Sequence, residues 1–332
     1  MARGNADLIG VIEAAYDLEK PAGDWLQSIA TALGPWFDRG RGVVGAEYDA
    51  RDANEMRLDH LTGVNLSPAR SRLVAAGVVS AGRDIIERLR WESCGTLSEK
   101  IGGASLLRRF PLLTAAGALF GTRDILGLNA GDSTLRGVCF CAPMNEIGQT
   151  EPRFRMNWSR VGAHIAAGFR LRREVRSQDV LAGAEAILEP SGKFAHVEGL
   201  ADEQVARVAL RSAALTLDRA RSRKVRTDAP EEALREWQAL VHGRWSLVDH
   251  FERDGRRYLV ARRNDPQSEG GRLSLRERQV IGFAALGHSN RLIGYELGIA
   301  PSTVATHLKT AMDRLGITSR LELIRQFKEG LL

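Results

Sequence analysis

Apolar residues recur at helical spacing from the start of the chain: Leu8, Ile9, Ile12 and Ala15, then Trp25, Leu26, Ile29, Ala30 and Leu33. Residues 42–48 read as a strand. Residues 124–128 and 135–142 read as two more, about the turn Ala130-Gly131-Asp132-Ser133. A helix predicted over residues 152–176 closes this block. Trp158, Val161, Ile165 and Phe169 form one stripe of it, and Arg170, Arg172, Arg173 and Arg176 crowd its end. Residues 1–176 are therefore expected to form one α+β domain.

A second α+β domain is predicted over residues 178–264. Ala186, Ile187 and Leu188, then residues 193–197, flank the turn signal Glu189-Pro190-Ser191-Gly192. Two helical stripes follow, first Val205, Val208, Ala209 and Leu215, then Ala233, Leu234, Trp237 and Val241. Residues 245–251 and 256–261 surround Glu252-Arg253-Asp254-Gly255, and an Asp-Gly turn between apolar segments signals a hairpin. Residues 265–271, with Pro266 and the pair Gly270-Gly271, read as a linker. The sequence contains no evident internal repeat.

Residues 272–332 carry the densest local instructions. Ser274 and Glu277 have capping-box spacing, and Val280, Phe283 and Ala284 face inward on the helix they open, which Gly287 can end. Ser289 can cap a second helix through Ile293 and Leu297, stopped at Gly298. Pro301 suits the first position of a third, in which Val304, Leu308, Ala311 and Leu315 form the buried stripe. Gly316 ends that helix, and Ser319 and Glu322 box a fourth with Leu323, Ile324 and Phe327. The second and third helices, joined by a short glycine-containing turn, have the form of a helix-turn-helix, with Gly294 allowing their close approach. The solvent face of the later helix in such a motif reads bases in the major groove.

The segments Leu273-Ser-Leu-Arg-Glu-Arg-Gln-Val-Ile, Gly287-His-Ser-Asn-Arg-Leu-Ile-Gly-Tyr-Glu-Leu-Gly-Ile, Ser302-Thr-Val-Ala-Thr-His-Leu and Arg314-Leu-Gly-Ile-Thr-Ser-Arg320 resemble the LuxR-type DNA-binding domain across all four helices. Two positions depart from the family pattern. Leu292 stands where the family usually has Glu, and Ala300 replaces the usual polar cap of the recognition helix. The resemblance implies that Ala305, Thr306 and Lys309 face bases or nearby backbone, and that Ser302, Thr303, His307, Thr310 and Arg320 contact or flank phosphates. Lys309 could reach guanine O6/N7 or a phosphate, and Thr and Ala contacts to thymine methyls would complement it. For His307 the alternative is a packed framework histidine, and for Lys309 a solvated lysine. The family also implies dimers formed partly through the fourth helix. More loosely, Gly137-Val-Cys-Phe-Cys-Ala-Pro143 with the helix through His164 and Arg172 resembles a GAF domain, and residues 178–264 resemble a small PAS-like sheet.

Composition adds direction. Of 332 residues, 44% are apolar and 27% charged, which excludes a disordered chain. No apolar run nears the roughly 18 residues of a membrane span, and the N-terminus lacks a secretory apolar segment. The net charge is +6, and nine basic residues against five acidic ones from Arg272 onward place most of that excess in the last sixth, which suits a polyanion.

Other signals point to no chemistry. Cys139 and Cys141 share a strand face without further ligands at metal spacing, and with Cys94 are read as buried strand cysteines in a reducing cytosol. The basic run from Arg219 to Arg226 could assist nucleic-acid binding or be a solvated helix end. No phosphate-binding loop, metal-site motif, triad-like histidine grouping or phosphate-receiving acidic cluster is present, so neither an enzyme nor a bound cofactor or metal is expected. The sequence thus predicts a cytoplasmic bacterial one-component transcription regulator, a homodimer on double-stranded DNA. Its two sensor-like domains would receive a small-molecule effector or serve as dimerisation platforms. The alternative is a protein whose helix-turn-helix docks protein.

Overall fold

The computed structural model describes all residues except 1–6, 51–55, 80–92, 110, 112–113, 116–119, 132–135, 176–183, 238–239, 242–244, 252–255, 264–272, 274, 286, 298 and 329–332. The chain divides into two compact units, Met1–Arg173 and Glu174–Leu332.

In the first unit, α1 (Leu8–Ala15) and α2 (Ala22–Phe37) lead into β1 (Val43–Asp49) and β2 (Arg57–Val64). Then come α3 (Pro68–Val79), β3 (Cys94–Thr96), α4 (Leu97–Ile101), β4 (Asp124–Gly131), β5 (Arg136–Met144) and α5 (Pro152–Val175). The strands form an antiparallel sheet in the order β2-β1-β5-β4-β3.

The predicted stripes of α1, α2 and α5 are all buried. The reason is aromatic packing: Trp158 meets Phe37 edge-on at 4.8 Å and Trp36 at 5.8 Å, and Trp25 stacks on Phe169 at 6.4 Å. Backbones of α1 and α5 approach so closely that a Cβ on Gly168 would collide with the Ala15 carbonyl. That carbonyl accepts from Trp25 Nε1 at 3.0 Å. Next along the chain, the carbonyls of Asp17 and Leu18 accept from Arg172 at 3.0 and 3.1 Å. Arg172 is therefore a buried tie. His164 is also buried, with Nδ1 3.1 Å from the Tyr16 hydroxyl, and burial lowers its pKa to about 3. The turn at 132–135 lies outside the described residues, but β4 and β5 pair across it as expected. Cys94 is buried, and Cys139 and Cys141 are partly buried as residues, with their thiols buried against each other.

The second unit begins with β6 (Ala184–Leu188), β7 (Phe194–Val197), α6 (Gln204–Ala220), α7 (Arg223–Asp228) and α8 (Pro230–Glu236). Next come β8 (Leu240–Val241), β9 (Trp245–Phe251) and β10 (Arg257–Arg263). Its sheet, β7-β6-β10-β9-β8, repeats the strand order of the first, although no sequence repeat announces it. Trp245 Nε1 donates to Glu185 at 2.8 Å, and Arg221 grips Asp249 while its guanidinium lies 4.8 Å from the Trp237 ring centre.

Two sequence expectations fail here. On α6 the buried residues are Ala206, Leu210, Ala213, Ala214, Leu217 and Ala220. Val205, Val208 and Leu215, expected inside, are exposed. Small alanines let the helix lie close to its support, and the bulkier stripe turns outward. The other failure is Val241, which belongs to the short strand β8 because α8 ends at Glu236. Among the described residues, no helix is long and apolar enough to cross a membrane.

Candidate nucleic-acid interface

Beyond residue 272 the chain folds as α9 (Leu275–Ala285), α10 (Asn290–Leu297), α11 (Pro301–Leu315) and α12 (Arg320–Lys328). Val280, Ile281, Ala284, Ile293, Leu297, Val304, Leu308, Ala311, Ile317 and Leu323 form one buried cluster, with Phe283 and Leu315 packed against it. All but Ile281 and Ile317 fall on the stripes read from the sequence; the Phe327 side chain lies outside the described residues. Four short helices sharing one core can hold a rigid outer face, which a single helix of α11's length could not do in water.

The helix ends follow local chemistry. Gly287 and Gly316 take left-handed backbone, φ 82° and 69°. Behind Gly316, the Ile317 amide donates back to the Met312 carbonyl at 2.9 Å, so the turn also satisfies a helix-end carbonyl. Ser289 Oγ accepts from the Leu292 amide at 3.2 Å, so the cap survives the loss of Glu at 292. Ala300 supplies no side-chain cap to α11, and Pro301 occupies its first turn. Ser319 Oγ accepts from the Glu322 amide at 3.1 Å, but the Glu322 carboxylate reaches one residue further than expected, to the amide and hydroxyl of Thr318. Those Thr318 bonds hold its pKa below the usual carboxylate value. Ser274 lies outside the described residues; Glu277, buried, accepts from Arg314 of α11 at 2.6 Å and so ties α9 to α11.

Gly294 sits where α10 meets the turn into α11. A Cβ there would lie 2.6 Å from the Ile299 carbonyl oxygen and 3.4 Å from the Pro301 nitrogen. Nearby, His288 stacks on Phe283 at 5.7 Å, with Nδ1 3.1 Å from Glu296 Oε1. Tyr295 on α10 donates to the Leu234 carbonyl on α8 at 3.2 Å, a contact the sequence did not signal.

The outward face of α11 carries Ser302, Ala305, Thr306 and Lys309, all exposed and spaced to share one side of the helix. Thr303 is exposed on one flank, and Thr310 and His307 are half-buried. Thr306 and Thr310 donate their hydroxyls to the carbonyls of Ser302 and Thr306 at 3.1 and 3.0 Å. Their hydroxyl protons are thereby spent within the helix, and what remains to offer outward is methyl surface and oxygen lone pairs. Asp313, exposed one turn beyond Lys309 on the same side, was not singled out in the sequence, though its i+4 spacing from Lys309 would have revealed it. Arg320 is set apart from this face by its bonds: its guanidinium donates to Asn290 Oδ1 at 2.9 Å and to the His288 carbonyl, tying α12 to the start of α10.

Residues 272–327 match the family described as bacterial regulatory proteins, luxR family. Over 72 residues the chain is 38% identical to the transcriptional regulatory protein UhpA of Escherichia coli, covering 22% of this chain and 34% of that protein. It is 39% identical over 75 residues to the transcriptional regulatory protein FixJ of Azorhizobium caulinodans, covering 21% and 36%. Over 59 residues it is 37% identical to the HTH-type transcriptional regulator MalT of Serratia proteamaculans, covering 18% and 6%. The chain therefore spans about a third of the length of the first two and far less of the third. Within those bounds, residues 272–327 are a helix-turn-helix domain of the LuxR family of bacterial regulatory proteins.

Proposed function

We propose that this protein is a sequence-specific DNA-binding transcription regulator that places α11 in the major groove. The observation that carries the reading is the exposed face of Ser302, Ala305, Thr306 and Lys309 on a LuxR-family framework. Lys309 is the cation on that face, in reach of guanine or phosphate, while the threonine methyls suit thymine. Thr303, Thr310 and His307 flank the phosphates. Two copies would bind a two-fold site. A dimer contact through α12 fits Leu321, which is 72% exposed there. The α/β segments 1–176 and 178–264 are read as GAF-like and PAS-like signal-receiving domains on the strength of their antiparallel sheets, with a small-molecule effector as their partner.

Selection of bound duplexes from a random pool, by the full chain and by a Thr306→Ala, Lys309→Ala double variant at two salt concentrations, tests the reading. An enriched palindrome that the variant loses, with weak salt-dependent binding retained, is the expected result. If the full chain enriches no sequence, the reading fails.

Arg320 separates two roles. As the tie seen in the structure, its replacement by alanine is expected to lower domain stability by about 1.5 kcal/mol, because a charge-assisted bond is lost. The dependence of DNA affinity on salt would stay the same. As a phosphate contact, the same change would lower the salt slope by about one. Chemical denaturation and binding titrations at several salt concentrations distinguish the two.

A further inference from the structure

The α6 helix presents to solvent the residues that its pattern would bury. Val205 is 73% exposed, Val208 61% and Leu215 42%, three of the few large apolar side chains so exposed among the described residues. With Ser212 and Arg219 they step along the helix by three, four, three and four residues, the spacing of a seam that packs against another helix. The opposite face of α6, with Leu210 and Leu217, is already committed to the core.

The ends of this seam are oppositely charged. Glu198, Asp202 and Glu203 precede the helix with no Lys or Arg among residues 197–204, and Asp202 accepts from Arg207 in the helix's first turn at 2.8 Å. At the other end, Arg219, Arg221, Arg223, Lys224 and Arg226 form a run without an acid, in which Arg221 is committed to Asp249 while Arg219 and Lys224 are exposed. A parallel neighbour of the same kind would set like charge against like. An antiparallel one sets the acidic end of each helix beside the basic end of the other, and a two-fold axis near the middle of the seam makes both contacts at once.

We infer that α6 is a self-association surface, on which a second copy of this chain packs its own α6 antiparallel through Val205, Val208, Ser212 and Leu215. The occupant is a second copy because one helix supplies the apolar seam and both complementary ends. The exposed Arg219 and Lys224 of the basic run then have a function the DNA-binding face does not give them: they recognise the partner's acidic helix start. One helix pair of this length lies at the small end of specific interfaces, so association is expected to depend on concentration. The contact is separate from any formed by α12 and does not depend on DNA binding.

The test uses the full chain without DNA. Sedimentation velocity over a concentration series is expected to show dimers that weaken at least about tenfold in Val208→Lys and, separately, in Leu215→Lys. Both positions are exposed, so folding is preserved, and circular dichroism checks it. Orientation is read by mixing a Gln204→Cys chain with an Arg219→Cys chain and adding a short bis-maleimide, with the wild-type chain as the blank for Cys94, Cys139 and Cys141. Antiparallel packing gives cross-links between the two variants. A wild-type chain that stays monomeric, lysine variants that associate like wild type, or cysteine variants that link only to their own kind would each overturn the inference. Loss of DNA binding elsewhere leaves all three readings intact.

Discussion

Gly294→Val is expected to abolish sequence-specific DNA binding and to destabilise the C-terminal helices by about 2 kcal/mol or more. The glycine's missing side chain is what lets the turn carrying Ile299 and Pro301 lie against α10. A Cβ 2.6 Å from the Ile299 oxygen cannot be absorbed by a rotamer change, since the obstacle is backbone. The turn must move, and α11 moves with it. Displacement of a reading helix by an ångström removes the alignment on which paired base contacts depend. Gly294→Ala adds a check on magnitude. Alanine gains about 1 kcal/mol over glycine from helix propensity, against an overpacking cost of about 1–3 kcal/mol, so a net loss of up to about 2 kcal/mol is expected. Denaturant melts and gel-shift titrations measure both effects. If Gly294→Ala stabilised the domain and retained specific binding, the close approach would not govern the geometry.

Acidification is expected to destabilise the first unit through His164. Its pKa falls from 6.5 to about 3 because burial penalises the imidazolium. The unfolded chain therefore binds that proton more readily than the folded one. The stability tied to the neutral ring is fully present above pH 6.5 and is lost as pH falls from there toward 3. At pH 5 the loss from this one group is about 2 kcal/mol. In His164→Leu the difference in unfolding free energy between pH 7 and pH 5 should shrink by that amount. The variant is expected to lose about 1–3 kcal/mol at neutral pH, because the Tyr16 hydroxyl loses its buried partner. Retention of the full acid loss in the variant would assign it to other groups.

These two residues show what the sequence makes legible. Gly294 was readable because a helix-turn-helix is specified locally: capping serines, terminal glycines and one apolar stripe per helix lie within a few residues of what they act on. His164 carried no such sign, since its neutrality comes from burial, and the residues that pack on it, Tyr16 among them, lie far away in the sequence. The partners of long-reaching arginines were out of view for the same reason. Arg172 and Arg320 look solvent-bound by type, yet each ends on backbone carbonyls of a distant segment. On α6 the periodicity was real but ambiguous, because alanines and valines mark two stripes and only packing decides which turns inward. Strand order was beyond reach, because which strands become neighbours depends on contacts across most of a unit.

That strand order also bears on the timing of folding. In each sheet the first strand pairs with the last, Val44 with Cys141 and Leu188 with Leu259. Neither sheet can close until nearly all of its segment is available, and each closure carries the entropy of a long loop. Helices α9 to α12 instead meet neighbours only a few tens of residues away, so their barrier is lower and their formation faster. In refolding of the whole chain, amide protection is therefore expected first at the C-terminal end, before either sheet has formed.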